Sequence, residues 1–326
     1  MFEISWSKTR TWRRCHRQYW YKYFERLARK RPKVGLFKGR ILHEMLDARA
    51  TGLDWRKVLT KYETEYRKMF LEQREEYGDL IPELTRIFEA YERHYADEKL
   101  KYVSSELFIA TQLTKRIRFL GYIDKVVEAD ARLWNIDHKT GRTLPDEDTR
   151  FSDLQIVFYN WAHNRERPST KLGGVIWDYL KTKPPAIPEV LKNGQLSQRA
   201  NIDTDHWTYL NAIKQNKLDP NDYAEILSDL KGRSSTFFKR VRLPNPPSVM
   251  VEQVVEDLKA TATQIMHLGG ISKVRTMQRD CKSCEFFSIC HAELRGQDAE
   301  FVRKAEYIVK DSNTGESLNG DEEEPE

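Results

Sequence analysis

The chain has 326 residues, 39% hydrophobic and 32% charged, with 8 Trp, 15 Tyr and 14 Phe; that is too aromatic for a disordered polymer and too polar for a membrane protein. No apolar run approaches the roughly 18 residues a spanning helix needs, and charges stand where a secretory signal would carry its apolar stretch, so an intracellular protein of one large domain or two ordinary ones is expected. The formal charge of +5 hides an asymmetry: residues 1–40 carry 13 basic and 2 acidic side chains, whereas the last 16 carry 7 acids and no base, so the body is basic and suits a polyanionic partner.

In chain order, Ser5 or Ser7 caps a predicted helix that runs through a basic, aromatic segment to about Arg29, where Arg31-Pro32 breaks it. Trp6, Trp12, Tyr19, Trp20, Tyr21, Tyr23 and Phe24 interleave with its charges, a pattern that suits stacking on bases as well as core packing. Further helices are predicted over Leu36–Ala50, Trp55–Tyr77 and Pro82–Lys101 from apolar residues at helical spacing. The period then changes to that of strands over Ser104–Gln112, Arg116–Ala129 and Ala131–His138, an antiparallel meander with a turn at Ala129-Asp130. After a turn-prone stretch, Thr140–Asp148, a helix over Phe151–Asn164 and a strand over Gly174–Leu180 imply a right-handed crossover. Ile187–Leu230 is mixed helix and loop. A strand over Phe237–Leu243, a break at Pro244–Pro247 and a long helix over Ser248–Leu268 follow. The fold class is therefore α/β, with a mixed sheet flanked by helices.

The four cysteines are Cys15, Cys281, Cys284 and Cys290. A C-x2-C-x5-C triplet plus one remote thiol matches a four-thiolate metal site; the tight triplet favours a cubane iron-sulfur cluster, with zinc as the alternative. Either would join residues 10–20 to 275–292 and close a loop of more than 260 residues. By the disulfide formula, that constrains the unfolded chain by about 4–5 kcal/mol.

The sharpest chemistry lies in the meander. Asp137 and Lys139 are two apart on one strand and share a face, and a hairpin near Asp130 makes Asp124 a cross-strand neighbour. Two carboxylates on one face repel unless a cation lies between them, and hard oxygen donors suit Mg2+ or Mn2+. Gln155 and Tyr159 share a face of the following helix.

Ser5-x-Ser7 and the lone Cys15, Gly39-x-x-x-His43, Glu106 in a strand, Gly121-x-x-Asp124, Asp137-x-Lys139, Gln155-x-x-x-Tyr159 and the terminal cysteine triplet together resemble the PD-(D/E)XK nucleases of the RecB type. More narrowly they resemble the branch with a four-cysteine iron-sulfur cluster, which includes AddB-type subunits, CRISPR adaptation exonucleases and phage relatives. The resemblance covers about residues 4–45, 104–160 and 237–291. It implies a restriction-endonuclease-like core within one nuclease domain, residues 1–310, with a helical insertion at about 53–103; the acidic composition of residues 311–326 predicts a disordered tail. It implies that His43, Asp124, Asp137, the backbone carbonyl of His138 and, less directly, Glu106 hold Mg2+ or Mn2+. Lys139 would be catalytic, Gln155 and Tyr159 would contact DNA or brace the site, and the four cysteines would hold a 4Fe-4S cluster. His16 stands where the family often has Pro, and Asp137 where this branch often has Glu. The expected activity is a deoxyribonuclease, an exonuclease on single strands or DNA ends in recombination, repair or replication, in the cytoplasm of a bacterium or a phage-infected host. The alternative is an iron-sulfur DNA-binding or scaffold subunit with a weak or silent site.

Overall fold

The computed structural model describes residues 1–310 apart from 32, 99, 145–152, 234 and 278. The acidic tail, the second half of the turn-prone stretch and the predicted start of the helix at Phe151 lie outside the described residues. None of the described helices is long and apolar enough to cross a membrane.

The first predicted helix is in fact several elements. Strand β1 (Phe2–Ile4) precedes α1 (Trp6–Arg14), capped by Ser5, whose side chain accepts from the Lys8 amide. Cys15 is extended, with φ −168° and ψ 120°, and separates α1 from α2 (His16–Tyr19). A π-helical turn over Trp20–Phe24 leads to strand β2 (Leu27–Arg29). The helical period continues across Cys15, but the backbone breaks there to aim the thiol at the C-terminal segment. Trp6, Trp12, Tyr19, Trp20 and Tyr21 are buried. Those rings belong to the core and are not available to stack on bases.

Helix α3 (Val34–Ala50) is followed by α4 (Arg56–Arg67), α5 (Leu71–Tyr77) and α6 (Leu80–His94). The predicted helix Trp55–Tyr77 is thus two, because the chain is extended at Phe70, and the next ends at His94 rather than Lys101. Phe37, Ile41, Met45, Leu59, Leu84 and Phe88 join these helices in one core.

The sheet follows the alternation of the sequence closely. Strands β3 (Lys101–Thr114), β4 (Ile117–Ala129) and β5 (Arg132–Gly141) form the expected meander. The β4–β5 turn passes through Asp130 and Ala131, both with positive φ. Helix α7 (Leu154–Glu166) crosses over to β6 (Leu172–Lys181), which lies parallel to β5. After α8 (His206–Gln215) and α9 (Ala224–Gly232), β7 (Phe238–Pro244) closes the sheet antiparallel to β6. The order is β1-β4-β5-β6-β7, with β3 on the outer side of β4. This mixed sheet between helices fits a restriction-endonuclease-like core. One face carries Val175, Trp177 and Tyr179 against Ile156 of α7; the other carries Leu180 and Phe238 against α3, α4 and α6.

Helix α10 (Ser248–Leu268) has the predicted bounds and packs with α1 and α7. Beyond it lie α11 (Phe287–Leu294), α12 (Ala299–Glu306) and β8 (Tyr307–Val309). Strand β8 pairs antiparallel with β2, and Trp20, Tyr21, Leu27, Phe286, Ile289 and Tyr307 form a small core there. Residues 20–29 and 286–309 are therefore held together by hydrogen bonds and apolar contacts.

Candidate active site

Strands β4 and β5 run in register up to the pair Lys125↔Ile136, and the site lies just beyond that pair. There the Asp124 carboxylate accepts from the His138 amide at 3.3 Å. The alternation of β4 breaks at this point. Phe119 meets Phe158 of α7 on one face, whereas Lys125, of the same parity, points to Asp47 of α3 on the other at 3.7 Å. Opposite the break, between the pairs Ser105↔Lys125 and Leu107↔Ile123, Glu106 has φ +49°, a conformation a non-glycine residue adopts only when its surroundings impose it. Asp124 stands opposite this irregularity, with its side chain 28% exposed.

Asp137 lies on the α7 face, 6% exposed, with Lys139 Nζ 2.7 Å from its Oδ2. Burial pushes the Asp137 carboxyl up to about 7, Lys139 opposes that, and Asp124 adds to it. Burial works against the Lys139 ammonium, but Asp137, Asp153 and Asp124 outweigh it and raise its pKa. His43 of α3 places Nδ1 3.9 Å from Asp124 Oδ2. Burial brings its pKa down to about 4 against the pull of Asp124, so at neutral pH the ring is an uncharged nitrogen donor. Burial and Asp124 also raise the Glu106 carboxyl, although Glu106 itself is exposed.

Two glycines of the pattern have packing reasons. A Cβ on Gly121 would meet Tyr159 Oη at 3.1 Å and Phe119 at 2.9 Å, and one on Gly39 would meet Thr140 Oγ1 at 2.9 Å. Gly121 lets α7 close on the sheet beside Asp124, and Gly39 seats α3 against the end of β5. Tyr159 is buried, hydrogen-bonded to Gln155, and its pKa is pushed up to about 12 by burial. Buried in this way, it can brace the carboxylate strands but offers nucleic acid no ring face.

Two residues of the site, Asp153 and Asp178, were missed in the sequence. Asp153 caps α7 by accepting from the Gln155 amide, and it lies 3.4 Å from Lys139 Nζ; the Asp-x-Gln spacing at a helix start is the signal. Asp178 is fully buried and meets His138 Nδ1 at 2.7 Å. An acid inside the apolar run of β6 has to be paired.

Two clefts adjoin the site and share Thr140 and Gly141. One of about 520 Å³ contains Arg10, Lys139 and Asp153. The other, of about 1620 Å³, opens at His43 and is lined by Arg29, Lys30, Arg31, Lys33, Arg40 and Arg142. Lys33 Nζ is anchored to the Ser283 carbonyl at 2.9 Å.

The four cysteines line a single cavity of about 40 Å³, walled by Tyr21, Phe286 and Leu294. Cys15 Sγ accepts from the Thr276 amide at 3.5 Å. Burial raises the Cys284 and Cys290 thiols, and Arg275 acts against this at Cys290. Among the described residues, no three His, Cys, Asp or Glu side chains stand at metal-coordinating spacing. At the acidic site Lys139 lies against Asp137, and Asp124 is turned to the His138 amide. In donor chemistry, however, both groupings suit a metal: two carboxylates and an imidazole for a hard divalent ion, four sulfurs for a soft centre.

The sequence matches the family described as the PD-(D/E)XK nuclease superfamily over residues 3–291. No curated protein matches it. A solved structure titled "Crystal structure of SSO0001" is similar at 14% identity and a TM-score of 0.31, covering 72% of this chain and 80% of that one.

Proposed function

The chain belongs to the PD-(D/E)XK nuclease superfamily, and on that premise we propose that it is an exonuclease acting on single-stranded DNA or DNA ends, with Asp124, Asp137, Lys139 and His43 as its centre. The observation that supports this reading is the meeting of Asp124, Asp137 and Lys139 where β4 and β5 part, beside a basic cleft. Nucleases of this superfamily use divalent metals such as Mg2+ or Mn2+. Asp124, Asp137, the carbonyl of His138 and the uncharged His43 ring would hold one, with Glu106 as an outlying carboxylate. When bound, such an ion supplies Lewis-acid polarisation of the phosphodiester and makes water more acidic.

The protein's own groups do the rest. Lys139, held between Asp137 and Asp153, keeps an ammonium charge where negative charge gathers on phosphorus. Gln155 and Tyr159 keep α7 on the sheet. We take residues 1–310 as one nuclease unit with its insertion at about 53–103. End-labelled single strands should shorten from one end with Mn2+ and stay intact in EDTA; if they stay intact with both Mn2+ and Mg2+, the proposal fails.

The basic cleft gives a second expectation. Each phosphate contact to a single strand steepens the dependence of log affinity on log salt by about 0.7. Arg31→Ala with Arg142→Ala, both exposed on the cleft, should therefore flatten that slope by about 1.4, read by fluorescence anisotropy in EDTA. An unchanged slope would put the strand elsewhere.

The four cysteines are proposed to hold a 4Fe-4S cluster, and so to clasp residues 10–20 to 275–292. The purified protein should then be brown, absorb at about 400 nm and contain iron. A colourless protein with zinc would assign the zinc alternative. Cys290→Ser should remove the colour and expose both chain ends to limited proteolysis.

A further inference from the structure

The core-facing residues of the β3–β4 hairpin are Leu107 and Ile109 on one strand and Phe119 and Ile123 on the other. One residue out of phase, on the outer face, stand Phe108 and Tyr122. They are register partners, their ring centroids lie 5.2 Å apart, and they are 42% and 55% exposed. Cross-strand aromatic pairs stabilise sheets, but on the outermost strand of a sheet an exposed pair also invites aggregation, so a pair left this open calls for another account.

Three observations bear on what covers it. Tyr122 is two residues from Asp124 along β4, about 7 Å, and Phe108 is two residues from Glu106, so the rings lie about one nucleotide's reach from Asp124 and Glu106. The segment from Gln112 to Tyr122 carries Lys115, Arg116 and Arg118 and no acid; all three are exposed, and Arg118, paired in register with Glu3 of β1, has the outward parity of Tyr122, four residues or about 14 Å along the strand. Arg167, which follows α7, donates to the Phe108 carbonyl at 3.3 Å, so a cation stands at this edge of β3. Exposed rings on a hairpin that carries cations match what an unpaired strand presents, base faces along a line of phosphates. A closed duplex hides its base faces and offers these rings nothing.

We propose that Phe108 and Tyr122 form a stacking platform for the unpaired base next to the phosphodiester held at Asp124, so that the substrate enters as a single strand. This rests on the nuclease reading above and deepens it by naming the strand form.

Anisotropy in EDTA, with a labelled oligothymidylate and a blunt hairpin duplex, tests it on Tyr122→Leu, Phe108→Leu and Tyr122→Phe. Both leucine variants keep an apolar cross-strand pair, so melting should fall by no more than about 2–4 °C. Each should bind the single strand about tenfold more weakly and the duplex as the parent does, whereas Tyr122→Phe should retain parental affinity. A strand carrying 2-aminopurine should lose fluorescence on binding the parent and regain it with the leucine variants. Parental affinity and quenching in both leucine variants would overturn the platform alone. A parent that binds the duplex and no single strand would overturn the single-strand reading of the function, and the platform with it.

Discussion

Replacing Lys139 by methionine should lower the cleavage rate on the order of 10³-fold, the scale of losing one preorganised charge at a phosphoryl-type transition state, while leaving strand binding close to parental. The side chain has a single electrostatic setting: Nζ lies 2.7 Å from Asp137 and 3.4 Å from Asp153, with no role in a helix cap or a core. Methionine preserves the length and apolar stem of lysine, so packing against Trp177, whose ring lies 5.3 Å from Nζ, is retained. Asp137 then loses its cation, but a carboxyl already pushed up to about 7 can take up a proton instead of unfolding the strand. Asp137→Asn should be at least as severe for cleavage, because it removes an oxygen charge from the proposed ion, yet it should not weaken binding, since one negative charge facing the phosphates disappears. Single-turnover cleavage of an end-labelled strand at saturating Mn2+, with affinity measured separately in EDTA, separates the two effects. A Lys139→Met protein cutting within tenfold of the parent would remove Lys139 from the reaction.

The parts of this arrangement that period and spacing convey were legible in the sequence, and the parts set by distant partners were not. The meander, β6, β7 and the bounds of α10 follow from alternation and helical spacing, as does the shared face of Asp137 and Lys139. Strands β1 and β8, three residues each, have no period to read; they exist because Phe2 finds Ile117 and Leu27 finds Val309. The break at Cys15 is invisible to helical periodicity because the segment on either side is helical, and what bends it is the C-terminal segment alongside: the Arg17 amide bonds to the Val274 carbonyl at 2.9 Å. The position of Asp124 depends on an interruption of alternation opposite a positive φ at Glu106, which no residue type in either strand announces. Aromatic interleaving in the first 24 residues was ambiguous for a physical reason: the same rings that could stack on bases also fill a core, and burial decides it for five of them.

Asp178→Ala should be among the most destabilising single changes in the protein, at about 3–5 kcal/mol, the cost of breaking a buried charge pair by removing one partner. Asp178 is fully buried in β6 and serves three donors at once. Tyr91 Oη donates to its Oδ2 at 2.6 Å, Arg240 Nε to its Oδ1 at 2.8 Å, and His138 Nδ1 lies 2.7 Å from Oδ2. Helix α6 and strands β5, β6 and β7 thus meet at one carboxylate. Without it, the Arg240 guanidinium, only 10% exposed, retains Glu98 but loses its buried partner, and a tyrosine hydroxyl that burial already holds well above its usual range loses an acceptor. Asp178→Asn keeps the shape and one acceptor, so it should cost less, about 1–3 kcal/mol. The network also has a consequence at the site, because His138 is the residue between Asp137 and Lys139, and its amide is the one that Asp124 accepts from. Loosening its ring frees the strand segment that sets the spacing of both carboxylates and the lysine. Urea unfolding should therefore show a lower midpoint with an unchanged slope for both variants. Cleavage per folded molecule should fall in the alanine variant even at temperatures where it is fully native. An alanine variant with a parental midpoint would mean that Arg240 and Tyr91 find water in place of Asp178, and the carboxylate would then not be the post on which the active-site strand is hung.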